Sequence, residues 1–502
     1  MLVERFSIDQ ASTSGNQESV RHRSQITRPE LSRYESPVHG FVLHPEVEDS
    51  LDKHQREIIK SLESAARRIA DLYVLQESEW VRFYPRGVQK NEVAREAQQK
   101  PELLSPYTIV ERHPGGEFFA THMHEVFAPQ IKEKGITRRL RRAADEAGKG
   151  KNRDSGLQAY LRAKAHALET HDMSATQRIK AAEKIWLERQ NEPTIDVVIG
   201  LYDTYTDKFK IKYSWQAWVG VLDRELTSDS QWFMDAFLTW WSQETEKEAP
   251  KVKMRVDHTV IMAGQAGRYE WVGNSLPCQP KWREEMGSKF TIFEPQFEDK
   301  FRHRKLPVFR EFIDPDKIAG ITDSWIRTTD LRKYIAHEIG HSLIPGENHQ
   351  QRLGKDTSWL KELYCELLAL YGYRESFKKI PNASLRESEV AMAMTLAQGY
   401  LDYEDRDKKE DYHTSSTILA NYLIERGAIW IERGVFTWHE TPEVFDDISD
   451  SLSEVQNILL EGKAKDAKDL KDRYFKPDIY RHLLSKQSYP QLLEDVNHSE
   501  DS

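Results

Sequence analysis

Apolar residues recur three and four apart through LDKHQREIIKSLESAARRIADLYVL, residues 51–75, and that spacing predicts an amphipathic helix. The same period runs through RLRRAADEAG, SGLQAYLRAKAHALET and SATQRIKAAEKIWLERQ, joined by loops such as ERHPGGEFF. The pattern changes at Thr194. TIDVVIGLYDTYTD is β-branched and alternating, and YSWQAWVGVLD follows after a short charged link, so the two read as strands of a hairpin or meander. VKMRVDHTVIMAG is a third expected strand. WVGNSLPCQPKWREEMGSKFTIF is turn-rich and then strand-like again. From Asp330 the helical period returns in DLRKYIAHEIGHSLI, TSWLKELYCELLALYGYRESF, SEVAMAMTLAQGYLDYE, HTSSTILANYLIERGAIWI and VFDDISDSLSEVQNILLEGKAKDAKDLKDRYF, each expected as a helix. The expected class is α+β, predominantly α, with a strand-rich middle and no internal repeat. Residues 1–45, rich in Ser, Gln, Arg and Pro, read as a flexible arm, and residues 476–502 as a polar tail.

Composition narrows the function. A chain of 502 residues is long enough for two or three domains or one two-lobed body. Apolar residues at 38% and charged residues at 31% describe a globular but hydrophilic protein. A net charge of −10 argues against nucleic acid as a partner, because phosphate binding needs a basic surface. The basic run ITRRLRR falls in a helical segment and reads as a solvated face. Cys278 and Cys365 are far apart and form no disulfide framework, which points to a reducing compartment. The N-terminal residues show no apolar signal core, and no window approaches the ~20 apolar residues of a membrane span. A cytoplasmic protein without membrane attachment, monomeric or homodimeric, is the expectation.

The chemistry lies in YIAHEIGHSL. On a helix His337 and His341 leave the same face one turn apart, which offers two nitrogen ligands to one metal. Glu338 points in a neighbouring direction, where a carboxylate can act as general base toward a water at the metal. Zinc suits the task because it lowers the pKa of bound water to ~7. Pro345 and Gly346 then stop the helix. The next strong helix carries Glu362 and Glu366, again four apart. The arrangement is similar to that of thermolysin-like enzymes, so Glu362 is assigned as third ligand and Glu366 as the acid that fixes a ligating imidazole's tautomer.

Four blocks, in order, resemble the dipeptidyl peptidase III family of metallopeptidases, especially its shorter members with a five-residue zinc motif. They are IDVVIGLYDTYTDKFKIKYSWQAWV, NSLPCQPKWREEMGSKFTIF, HEIGH with KELYCELLALY, and DYHTSSTILANYLIERGAI. The match runs from about residue 100 to about residue 475, while the first hundred residues match little. The resemblance implies a two-lobed fold, with a helical zinc lobe and a lobe built on a small β-barrel-like sheet. It implies a substrate lobe over residues 46–224, a zinc-lobe segment over 225–258, a return to the substrate lobe over 259–304, and a catalytic zinc lobe over 305–475. It implies one zinc ion per chain on His337, His341 and Glu362, with Glu338 as base and Glu366 behind a ligand. Tyr205 and His413 would donate hydrogen bonds to the oxyanion. The implied substrate is a short peptide cleaved by a dipeptidyl-peptidase-like exopeptidase. From the residues alone, Tyr205 is one more strand tyrosine and His413 a residue at a helix N-terminus.

The departures from the family pattern fall on the clamp for the peptide's free amine. The family's glutamate is Asp203 here, one methylene shorter. Its asparagine positions fall on Ser275 and Cys278, with Asn274 shifted by one. A zinc hydrolase of the same fold acting on another amide or a small molecule is therefore the alternative, beside a non-catalytic peptide-binding scaffold. A structural zinc site would need a fourth protein ligand, and none is evident. Smaller signals read as bland. THMHE places His122 and His124 on a surface or cleft wall. Trp215, Trp218, Trp240 and Trp241 read as core, and AGQAGRYEWVG lacks the context of a phosphate loop.

Overall fold

The computed structural model describes residues 35–189, 193–378, 386–407, 410–438 and 443–486. Two units divide the chain, one formed by Met1–Gly220 and Val260–Glu270, the other by Val221–Thr259 and Trp271–Ser502.

In the first unit, helix α1 (Lys53–Glu77) starts where the period predicts. Asp52 caps it: the Gln55 amide donates to the Asp52 carboxylate at 2.8 Å, and the Gln55 side chain accepts from the Asp52 amide at 2.9 Å. Its apolar stripe, Ile58, Leu62, Ala65, Ile69 and Leu72, is buried. α1 packs on α2 (Ile136–Ala147), α2 on α3 (Ser155–Glu169), and α3 on α4 (Ala175–Glu188). Of the arginines of ITRRLRR, Arg138, Arg141 and Arg142 are exposed, with Arg142 paired to Glu57 at 2.8 Å and Arg141 to Glu169, whereas Arg139 is half-buried and donates to the Ser64 hydroxyl of α1 at 2.7 Å. Strand β1 (Val38–Gly40) pairs antiparallel with the C-terminal half of β6 (Val252–Gly264). β2 (Thr108–Arg112) and β3 (Phe118–His122) form a hairpin. β4 (Ile195–Tyr202) and β5 (Ser214–Leu222) are buried at every position, as strands covered on both faces must be. The strand order in this unit is an open path, β4–β5–β6.

The second unit holds the N-terminal half of β6. It pairs parallel with β8 (Ser288–Phe293), and β8 pairs antiparallel with β7 (Gly273–Leu276). Its longer helices are α5 (Arg224–Thr245), α6 (Asp323–Leu343), α7 (Thr357–Lys378), α8 (Arg386–Glu404), α9 (Glu410–Glu425), α10 (Glu443–Glu461) and α11 (Ala464–Tyr474). α7 is the hub, in contact with α5, α6, α8, α9 and α10. That is why its sequence is apolar on most sides rather than along one stripe.

Several expectations are corrected. The third crossing falls at Glu270 rather than near residue 304. β8 pairs with the second unit's half of β6 and β7 pairs with β8, and Phe290, Ile292, Phe297 and Phe301 join its core. Most of the expected N-terminal arm, residues 1–34, lies outside the described residues, but 35–45 include β1. The expected tail begins with a helix, Ile479–Ser485, whose Ile479, Tyr480 and Leu483 are core residues, while 487–502 lie outside the described residues. LIERGAIWI is not helical throughout: α9 ends at Glu425, and β9 (Ile429–Glu432) pairs with β10 (Val435–Trp438). Arg433 and Gly434 turn between them with φ of 51° and 81°, the conformation of a tight two-residue hairpin. The long C-terminal helix breaks at Gly462 into α10 and α11.

Candidate metal centre

α6 carries the H-E-x-x-H motif and begins seven residues before its expected start. Its cap is Thr322, whose hydroxyl accepts from the Trp325 amide at 3.2 Å. Ile326, Leu331, Ile335, Ala336 and Ile339 bury one side of it. Gly340 faces α7 so closely that a Cβ there would stand 3.3 Å from both Cα and Cβ of Cys365. The missing side chain lets the two helices meet at the motif.

This contact brings three groups together. His337 Nε2 lies 3.2 Å from Glu362 Oε2, and His341 Nε2 lies 3.6 Å from the same oxygen. Ligand atoms of His337, His341 and Glu362 all fall within 4.8 Å of one another, the one such group among the described residues. Donors about 2.05 Å from a tetrahedral zinc stand about 3.3 Å apart, so the two spacings to Glu362 fit. The Glu362 Oε2 is buried and has no well-aligned hydrogen bond, and the two imidazole nitrogens are the groups that face it. Two imidazoles and one carboxylate are a ligand set that leaves zinc a fourth position for water or substrate. The residues fit the metal.

The surroundings reinforce the set. His337 Nδ1 lies 3.0 Å from Glu366 Oε1, and Lys333 Nζ lies 3.1 Å from Glu366 Oε2. The Thr395 hydroxyl donates to Glu366 at 3.5 Å. Burial works against charge at His337, but Glu366 and Glu362 outweigh it and raise its pKa to about 10. Burial likewise opposes the charge of Glu366, yet Lys333 and His337 hold its carboxyl well below the usual range. Carboxylates that hold a proton so firmly on His337 are placed to hold a cation instead. Behind the second imidazole, Cys365 Sγ lies 3.4 Å from His341 Nδ1. Burial, then the charges of Glu362 and Glu338, push the Cys365 thiol well up, so it is neutral. Glu338 is half-buried and makes no hydrogen bond or ion pair with the described residues.

The remaining expected site residues lie elsewhere. His413 sits on α9, which packs on α7, and its ring is buried among Tyr403, Phe475 and Tyr480. Its Nδ1 is 3.2 Å from the Thr417 hydroxyl, and burial, with Arg406 and Lys471, lowers its pKa to about 4. Tyr205 belongs to the first unit, in the turn after β4. The residue is 53% exposed, and its ring lies 5.1 Å from that of Tyr269. Asp203 starts the same turn with φ of 51°, and its Oδ2 accepts from Gln216 Nε2 at 3.2 Å. Asn274 and Ser275 lie on β7 and Cys278 just after it, all in the second unit. Arg283 ties down this loop by donating to the carbonyls of Ser275 and Pro277 at 3.1 and 2.6 Å.

His122 and His124 are corrected from surface to core, each 1% exposed. The ring of His122 accepts from the His124 amide at 3.1 Å, and His124 donates to the Ala167 carbonyl at 2.8 Å and stacks on Trp215. The four tryptophans are buried as expected. Sequence reasoning missed Lys333, although it stands four residues before His337 on the same helix face. It also missed Cys365, for which the pattern held no signal.

No protein-family model and no curated protein matches this chain. Solved structures do. The structure of DPP III from Caldithrix abyssi aligns with a TM-score of 0.72 at 19% identity, covering 89% of this chain and 94% of that one. That of dipeptidyl-peptidase III from Corallococcus sp. strain EGB aligns with a TM-score of 0.69 at 17% identity, covering 91% and 95%. At these identities the likeness establishes a shared fold over nearly the whole chain.

Proposed function

We propose that this chain is a zinc-dependent metallopeptidase that hydrolyses short peptides as a dipeptidyl-peptidase-III-like exopeptidase. The observation that carries the reading is the convergence of His337, His341 and Glu362 within 4.8 Å, on a chain with the fold of two dipeptidyl peptidase III structures. His337, His341 and Glu362 hold the zinc, which supplies a Lewis acid for the scissile carbonyl and makes water nucleophilic near neutral pH. Glu338, one position along α6 from a ligand and unpaired among the described residues, takes the proton from the attacking water and returns it to the leaving amine. Glu366, itself held by Lys333, faces Nδ1 of His337 at 3.0 Å, and in this reading it takes that nitrogen's proton and leaves Nε2 free to ligate. In the same reading Tyr205 and His413 donate to the developing oxyanion. Asp203, Asn274, Ser275 and Cys278 contact the substrate.

A second reading, hydrolysis of a different amide by the same centre, is favoured by the amine clamp. Asp203 is short, and its Oδ2 already accepts from Gln216. The test of the main reading is Glu338→Ala. The variant should keep one zinc per chain and lose peptide turnover by at least the ~10²–10⁴-fold that general base catalysis contributes. Cleavage at the parent rate overturns the assignment. Dipeptidyl-naphthylamides, run against a panel of small amides and esters, separate the two substrate readings.

A further inference from the structure

The two candidate histidine ligands are backed by unlike groups. His337 has a carboxylate behind its Nδ1, whereas His341 has the sulfur of Cys365 at 3.4 Å. Cys365 stands three residues after Glu362 on α7, so the ligand oxygen and the sulfur leave neighbouring points of one helix face. The residue is fully buried. It reaches the imidazole because Gly340 lets α6 approach the α7 backbone at this point.

We propose that Cys365 is a positioning residue for the metal: its sulfur accepts the Nδ1 proton of His341 and so directs Nε2 toward Glu362. This rests on the zinc reading above. The chemistry of the position favours a thiol. Glu362 and Glu366 already place two carboxylates beside His337, and a third acid behind His341 would add repulsion in a buried site. An alanine would leave the Nδ1 proton facing a gap. A neutral sulfur is a weak acceptor that satisfies the proton without adding charge. The consequence is an asymmetric centre, in which His337 is the strongly held ligand and His341 the more yielding one.

The test is zinc competition with a chromophoric chelator on full-length parent, Cys365→Ala, Cys365→Val and Cys365→Ser, with thermal unfolding of each zinc-stripped protein. Loss of an outer-shell partner typically weakens metal binding about 10–100-fold, and a weak acceptor belongs at the lower end, so Cys365→Ala should bind zinc about tenfold more weakly. Cys365→Val refills the space without an acceptor and should remain weak. Cys365→Ser restores an acceptor and should recover most of the affinity. The visible spectrum of the cobalt-loaded protein should change in Ala and Val and return toward the parent in Ser. Parent-like affinity in Ala, or recovery in Val but not in Ser, overturns the inference and assigns Cys365 to packing alone. A parent that binds no zinc overturns the zinc reading and the inference together. Parent binding with unaffected variants overturns only the inference.

Discussion

Glu366→Ala removes two contacts at once. Glu366 is the close partner of Lys333, an ammonium on a side chain only 5% exposed, and it is also the group behind His337 Nδ1. Deleting one member of a buried ion pair typically costs about 3–5 kcal/mol, because the survivor is left charged in a poorly solvated place. Asp330 and Asp402 also act on Lys333, so the lower end, about 3 kcal/mol, is the expected loss. The metal should suffer separately, with zinc affinity falling about 10–100-fold as His337 loses its orienting acceptor. Adding Lys333→Met separates the effects. The double variant has no stranded cation and should regain most of the stability, since replacing a buried pair by apolar groups is often neutral. Its zinc affinity should stay low. Urea unfolding of zinc-stripped protein and chelator competition measure the two quantities independently. Stability within about 0.5 kcal/mol of the parent for Glu366→Ala, with unchanged zinc affinity, would refute the reasoning.

Two further outcomes are expected. His258 donates to Asp223 at 3.2 Å and faces Glu294 at 3.8 Å, and these carboxylates raise its pKa to about 9. A raised pKa contributes stability that is complete below about 6.5 and is lost as pH rises through 9, so parent stability should decline across that window and His258→Gln should flatten the decline. Gly340→Val forces a branched side chain to within van der Waals conflict of the α7 backbone, where even a Cβ meets Cys365 at 3.3 Å. It should cost about 1–3 kcal/mol in urea unfolding and weaken zinc binding, and unchanged zinc affinity would show that the close approach is not needed by the centre.

The candidate metal group was legible because helical periodicity alone aligns residues four apart. His337 with His341, and Glu362 with Glu366, each come from one helix, and only the meeting of the two long helices had to be supplied. The thirteen-residue strand β6 was equally plain, since its β-branched run is local. What escaped depends on contacts distant in sequence. The crossing at Glu270 follows from which half of β6 pairs with β8, a register that no local pattern encodes. The β9–β10 hairpin hid behind a helical run because its signal is two residues, Arg433 and Gly434, with only the second an obvious turn former. His122 and His124 looked like surface residues by polarity, yet both are satisfied inside by neighbouring backbone groups. Cys365 reaches His341 where Gly340, opposite it, leaves room for close approach of the two helices.

The most direct measurement is zinc content with X-ray absorption at the zinc edge, on purified parent and on Glu362→Ala. The parent should hold one zinc per chain, with two imidazole nitrogens in its shell beside oxygen donors and no sulfur, and the variant should lose most of its bound zinc. A parent that holds no zinc, a shell containing sulfur, or full retention of zinc by Glu362→Ala would contradict the zinc assignment.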